Sequence, residues 1–283
     1  MRTESFQSLN PQGFHEVVYH EWGAAENQRV LICVHGLARN SRDFDDLALA
    51  LSRNYRVVCP DVVGRGSSDW LPAGSPYVIP QYLQDMTALI ARLKVKQVDW
   101  IGTSMGGLIG MALAAQPNTP IRRLVLNDIG AFVAKEALQR IGTYVGTDPR
   151  FDSVEQVEAY MRQQYTAFDG LSDKQWRHLA LQGSRQAGEE KLSLHYDPVI
   201  GDYTRQSSSE DVDLWPVWQQ VRCPQLLLWG EDSDVLSAET VTRMEQHNAS
   251  LESIHWPGIG HAPSLMEPAQ IQSVVDWLRR TAV

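Results

Sequence analysis

The chain has 283 residues, 43% hydrophobic and 21% charged, so it can bury a sizeable core and carries no compositional sign of disorder. Its 25 basic and 34 acidic residues give a formal charge of −9 with no basic cluster, which argues against a nucleic-acid or anionic-lipid binder. No run of about 18 apolar residues occurs, and residues 1–10 lack a signal-like apolar core, so a soluble cytoplasmic protein without a membrane span is expected.

After a polar lead, Phe14–Gly23 alternates apolar and polar residues as a half-buried antiparallel strand should, with His15 and His20 expected on its solvated face. Arg29–Gly36 is a near-continuous apolar run, the mark of a parallel strand covered on both faces, and His35 is read as shaping its turn. Ser41 is placed to cap a helix in which Phe44, Leu47, Ala48 and Leu51 recur at helical spacing. Another buried strand, Arg56–Pro60, leads into the loop Asp61–Asp69. That loop is no phosphate cradle: it lacks the glycine and lysine spacing, and Asp61 and Asp69 would repel an anion. A helix opens at Pro80, with Leu83, Met86, Ile90 and Leu93 along one side.

Gln97–Ile101 is a β-branched and aromatic run, and a helix-favouring segment starts at Leu108. Between them lies Gly102-Thr103-Ser104-Met105-Gly106-Gly107. A G-x-S-x-G pattern alone arises by chance in about one chain in ten of this length. Its setting between strand and helix is what makes it specific, because a sharp turn there needs small residues and lifts the serine hydroxyl to a helix N-terminus. Ser104 is therefore a candidate nucleophile.

A further strand follows at Pro120–Asp128, and alternation then stops between residues 131 and 221. Helical stretches are expected at Val133–Tyr144, Val154–Tyr165, Asp173–Gly183 and near Pro216, with many aromatics. Ligand pockets commonly form where such an insertion meets a sheet. Alternation resumes with strand Pro224–Gly230, the acidic loop Glu231–Leu236, helix Ala238–His247, strand Ser250–Trp256, the loop carrying His261, and a helix from Pro268. Cys33, Cys59 and Cys223 have no C-x-x-C spacing or histidine cluster, so free thiols are expected and no metal or cofactor site is indicated.

Ser104, an acidic loop and His261 all follow the carboxyl ends of strands, the edge where active sites of open α/β sheets gather. Serine needs a base, histidine suits that role near neutral pH, and a carboxylate holds the imidazole in the right tautomer. Of the eight histidines, His261 alone sits in the loop after the last strand. For the acid, Asp234 is preferred, with Asp232 second and Asp128, after the strand following Ser104, third. The backbone N–H groups of Leu37 and Met105 are candidate oxyanion donors.

These residues resemble the α/β-hydrolase fold family: His35-Gly36, Asp61-x-x-Gly64-x-Gly66-x-Ser68, Gly102-Thr103-Ser104-Met105-Gly106-Gly107, Gly230-Glu231-Asp232-Ser233-Asp234 and Gly260-His261 occur in family order along nearly the whole chain. The resemblance implies a mostly parallel eight-stranded sheet with helices on both faces. It implies a core of residues 1–130 and 216–283, and a helical cap over 131–215. Many members place the acid three residues after the glycine, which here is Ser233, so Asp234 stands one residue late. The expected activity is hydrolysis of small carboxylic esters through an acyl-enzyme on Ser104, with His261 as base and Asp234 orienting it. Carbon–carbon bond hydrolysis or lactone opening with the same triad is the runner-up, and a small-molecule receptor with vestigial turnover is the alternative from another class. A haloalkane dehalogenase is disfavoured, since that chemistry goes with aspartate at the elbow. Substrate identity and oligomeric state are not readable from these residues.

Overall fold

The computed structural model describes residues 1–168 and 170–281, without the side chain of Ser207. Strands β1 (Arg2–Asn10), β2 (Gly13–Trp22), β3 (Val30–Val34) and β4 (Arg56–Pro60) open the chain. A 3₁₀ turn at Ser41–Phe44 and helix α1 (Asp45–Leu51) lie between β3 and β4. Helix α2 (Ile79–Leu93), strand β5 (Val98–Thr103), helix α3 (Met105–Ala114) and strand β6 (Ile121–Asn127) follow.

The next stretch is mostly helical: α4 (Lys135–Tyr144), α5 (Val154–Gln164), α6 (Asp173–Gln182), α7 (Ile200–Ser207) and α8 (Trp215–Trp218). It also holds four short strands, of which β7 (Phe132–Val133) pairs with β10 (Val212–Asp213), and β8 (Ser184–Gln186) with β9 (Leu192–Leu194). Then β11 (Gln225–Gly230), α9 (Ala238–His247), β12 (Leu251–Trp256) and α10 (Pro268–Arg280) complete the chain.

Eight strands form one sheet in the order β1-β2-β4-β3-β5-β6-β11-β12. From β4 to β12 the neighbours are parallel, while β2 runs antiparallel to both β4 and β1. Successive side chains of a strand point to opposite faces, and the central strands are apolar on both. Val30, Ile32 and Val34 enter the core cluster shared with α2 and α3. Leu31 and Cys33 enter the opposite cluster with α1 and α10. This is why β3 and β11 are unbroken apolar runs rather than alternating ones.

Four local expectations are corrected. The polar lead is itself a strand, β1, paired with β2 along its whole length. His15 and His20 are buried on opposite faces: His15 Nε2 lies 3.0 Å from Asp85 Oδ1 of α2, and Thr3 Oγ1 of β1 lies 3.0 Å from His20 Nδ1. Phe14, by contrast, faces solvent. The first helical turn after β3 is capped by Asn40 rather than Ser41, whose own N–H donates to Asp61. Helix α7 had no sequence counterpart, being short and polar on most of its surface. Among the described residues no helix is long and apolar enough to cross a membrane.

Candidate active site

At the β5–α3 junction the chain reverses within one residue. Ser104 takes φ 51° and ψ −116°, a conformation L-residues rarely adopt. The crossing is possible because the flanking residues lack side chains. A Cβ on Gly106 would lie 2.0 Å from Val34 O, and one on Gly102 would lie 2.2 Å from the Gly106 carbonyl carbon. Trp100 Nε1 donates to Gly106 O at 3.0 Å and pins the turn from beneath. The Ser104 hydroxyl is thereby presented at the amino end of α3, where N–H groups are unpaired.

His261 follows β12 and bridges two partners. Its Nε2 lies 2.9 Å from Ser104 Oγ, and its Nδ1 lies 2.7 Å from Asp128 Oδ2. Asp128 is fully buried one residue past β6, at φ 56°. Gly230 N donates to its Oδ1 at 2.9 Å, and Ser233 Oγ donates to its Oδ2 at 2.6 Å. The carboxylate thus accepts two bonds from the end of β11 besides the one from the imidazole.

Asp234, the residue preferred from the sequence, is not at the site. It is exposed and paired with Arg140 of α4, whose Nη2 donates to its Oδ1 at 2.9 Å. Asp232 is likewise exposed. The physical reason is sheet order. β6 and β11 are parallel neighbours, so their carboxyl ends open side by side, and a carboxylate from either can reach the same imidazole. Here the buried one follows β6, while Asp232 and Asp234 both point outward from the loop after Gly230.

Leu37 N–H finds no acceptor among the described residues, and Met105 N–H is the first of α3. Behind both sits Arg65, fully buried and in none of the ion pairs among the described residues. Its Nε donates to Leu37 O at 2.8 Å, its Nη1 donates to Val63 O at 2.8 Å and Tyr82 Oη at 3.0 Å, and its Nη2 lies 3.7 Å from Met105 Sδ. One rigid guanidinium therefore ties together the residues that carry the two N–H groups. His35 buttresses the same loop, with Nδ1–H donating to Gly36 O at 2.7 Å and Nε2 accepting from Val62 N–H at 3.0 Å.

A cavity of about 90 Å³ lies over Ser104, with Leu37, His261 and Ala262 on its sheet side and Ile141, Tyr144, Val145, Tyr165 and Phe168 from the helical segment opposite. Its volume is that of about three water molecules. Arg39 and Asp43 supply its charged wall. Burial opposes the Arg39 charge, but the adjoining Asp43 carboxylate outweighs it and holds the guanidinium protonated. Larger clefts exist, such as one of about 400 Å³ lined by Arg29, Lys94, Lys96 and Arg122 at the amino ends of the strands, but it contains no nucleophile with a base. Among the described residues no cluster of three or more potential metal ligands occurs.

A serine, an imidazole and a buried carboxylate in series at the carboxyl edge of a mostly parallel sheet define a hydrolase site. The model of the alpha/beta hydrolase fold matches residues 29–268, and the chain belongs to that family. Among its relatives is the 3-hydroxybutyrate-oligomer hydrolase of Cupriavidus necator, 45% identical over 273 residues, which cover 94% of this chain and 93% of that protein. A solved alpha/beta hydrolase from Novosphingobium aromaticivorans superposes with a TM-score of 0.86 at 33% identity, over 99% of each chain. The E-2-(acetamidomethylene)succinate hydrolase structure shares the fold, with a TM-score of 0.84 at 22% identity over 98% of this chain and all of the other.

Proposed function

We propose that the protein hydrolyses short carboxylic esters of hydroxy acids, in the manner the name of its Cupriavidus necator relative indicates, through an acyl-enzyme on Ser104. The observation that carries this reading is the unbroken relay Ser104 Oγ, His261 Nε2, His261 Nδ1, Asp128 Oδ2, with spacings of 2.9 and 2.7 Å. In this reading Ser104 Oγ attacks the ester carbonyl as His261 Nε2 takes its proton, and Asp128 stabilises the imidazolium at Nδ1. The oxyanion is met by the N–H groups of Leu37 and Met105, each typically worth about 3 kcal/mol of barrier. His261 then returns the proton to the departing alcohol, and a water activated by the same imidazole releases the acid.

The small cavity supports short acyl groups. The segment 131–215 acts in this reading as a cap whose Ile141, Tyr144 and Phe168 limit chain length.

The test is labelling by a fluorophosphonate, followed by turnover of 4-nitrophenyl acetate, butyrate, octanoate and laurate by the native protein and by Ser104→Ala. Labelling confined to the native protein, with kcat/KM falling at least tenfold beyond butyrate, is expected. Unlabelled Ser104 or undiminished activity of the alanine variant overturns the proposal.

A further inference from the structure

Apart from Ser104, His261, Thr103 and the two tyrosines, the side chains lining the cavity over Ser104 are apolar except for Arg39 and Asp43. Arg39 Nε donates to Asp43 Oδ2 at 2.9 Å and Nη2 donates to Oδ1 at 2.6 Å, a bidentate pair with side chains 10% and 16% exposed. The guanidinium lies over the Tyr165 ring, 5.0 Å from its centroid, with the Tyr165 hydroxyl as a further partner, and its Nη1 lies 3.8 Å from Met161 Sδ. The pair is electrically neutral as a unit. Two of the five guanidinium N–H groups are spent on Asp43, and each Asp43 oxygen retains a lone pair beyond the one engaged by Arg39.

A carboxylate placed against this wall would leave a net negative charge in a pocket where Arg39 is the only cation among the lining residues. A plain alkyl group would strip water from the pair and return no hydrogen bond. A hydroxyl donates to Asp43 and accepts from Arg39, and so matches both halves. The space of about 90 Å³ holds one short unit, and in an ester oligomer of hydroxy acids a free hydroxyl occurs only at one chain end.

We propose that the Arg39–Asp43 pair is the subsite for the free hydroxyl of a terminal hydroxyacyl unit, so that ester oligomers of short hydroxy acids are shortened from their hydroxyl end. This rests on the ester-hydrolase reading above. Because the pair and Ser104 line one cavity, a terminal hydroxyl seated on the pair would bring the first ester carbonyl from that end to Ser104. The terminal unit then becomes the acyl group, and the shortened oligomer leaves as the alcohol. Attack breaks that one ester bond, the proton from Ser104 passes through His261 to the alcohol oxygen, and water restores the serine.

Two measurements on the native protein test the assignment. The first is kcat/KM for 4-nitrophenyl 3-hydroxybutyrate against 4-nitrophenyl butyrate. A site that bonds a substrate hydroxyl discriminates against the analogue lacking it, and a ratio of at least tenfold is expected. The second compares 3-hydroxybutyrate trimers that are free, acetylated on the hydroxyl, or methylated on the carboxyl. The acetylated trimer should be cut at least tenfold more slowly than the free one, and the methyl ester within threefold of it.

Arg39→Met and Asp43→Asn should each collapse the hydroxybutyrate-to-butyrate ratio towards one, a readout that a purely structural latch would leave in place. Equal cleavage of the two nitrophenyl esters, indifference to the acetyl cap, or dependence on a free carboxylate overturns the assignment while the hydrolase reading stands. Failure of the native protein to cleave either nitrophenyl ester takes both down.

Discussion

Ser233 Oγ donates to Asp128 Oδ2 at 2.6 Å, although the two residues belong to loops 105 positions apart. Position 233 is where many proteins of this fold carry the acid itself. In this chain it holds a hydroxyl that supports an acid contributed by the neighbouring strand end. The same hydroxyl also accepts from Val235 N and Leu236 N, at 3.2 and 3.1 Å, so the loop after β11 is folded around it. The support of the imidazole and the shape of the acidic loop are therefore one arrangement.

Substitution should separate the candidate acids cleanly. Asp128→Asn, which leaves the shape but lets the wrong imidazole tautomer form, is expected to lower kcat by about 10³–10⁴, the scale seen for such a change in a serine triad. Ser233→Ala should cost roughly tenfold, by removing one charge-assisted bond. Asp234→Asn breaks only an exposed pair with Arg140 and should leave kcat/KM within about threefold. Steady-state kinetics on a short-chain ester decides the matter, and an Asp234→Asn loss matching that of Asp128→Asn would refute the assignment.

The backbone at Ser104 holds strain that a stability measurement can read. A non-glycine residue at φ 51° costs on the order of 1–3 kcal/mol. Glycine ordinarily lowers stability by about 0.5–1 kcal/mol relative to alanine, through the unfolded chain. The order should invert here: Ser104→Gly is expected to be about 1 kcal/mol more stable than Ser104→Ala in urea denaturation, with both inactive. Ser104→Ala coming out the more stable would mean that the turn is relaxed.

Acid should loosen the loop behind Leu37 through His35. Burial pushes this imidazole down to about 4, and its Nε2 already accepts from Val62 N–H, so a proton there would face a donor. The folded-state value lies below the unfolded one of about 6.5. The unfolded chain therefore binds more protons between those values. Stability from this group is complete above about pH 6.5 and is lost as pH falls towards 4, by at most about 3 kcal/mol. His20, whose pKa is lowered by burial against the pull of Asp61, acts in the same direction, so the comparison needs a variant. The stability gap between native protein and His35→Gln, measured in urea at pH 7 and at pH 4.5, should narrow at the lower pH. A gap independent of pH removes His35 as the cause.

Much of this molecule was legible along the chain because its cues are local. β3 and β11 are covered on both faces and read as apolar runs, α9 carries its apolar stripe within its own residues and its cap, Ser237, just before them, and Ser104 is marked by glycines that a sharp turn demands. Other features depend on what lies alongside. His15 and His20 look like the wet side of a strand until Asp85 of α2 and Thr3 of β1 meet them, and β1 itself, rich in Ser, Thr and Gln, shows little apolar period of its own. Arg65 sits in a loop whose glycines suggest only a turn, and its burial against Leu37 and Tyr82 appears in no spacing.

The sequence by itself determined the order of the main core elements other than β1, the family resemblance, and the choice of Ser104 and His261 as the candidate nucleophile and base, since each is announced by neighbours within a few positions. Only the tertiary structure decided that Asp128 rather than Asp234 meets His261, and that Arg39 and Asp43 wall the cavity over Ser104. The reason is that parallel neighbours β6 and β11 bring two strand ends to one point, and the choice between their carboxylates is made by burial and direction, which no one-dimensional spacing encodes.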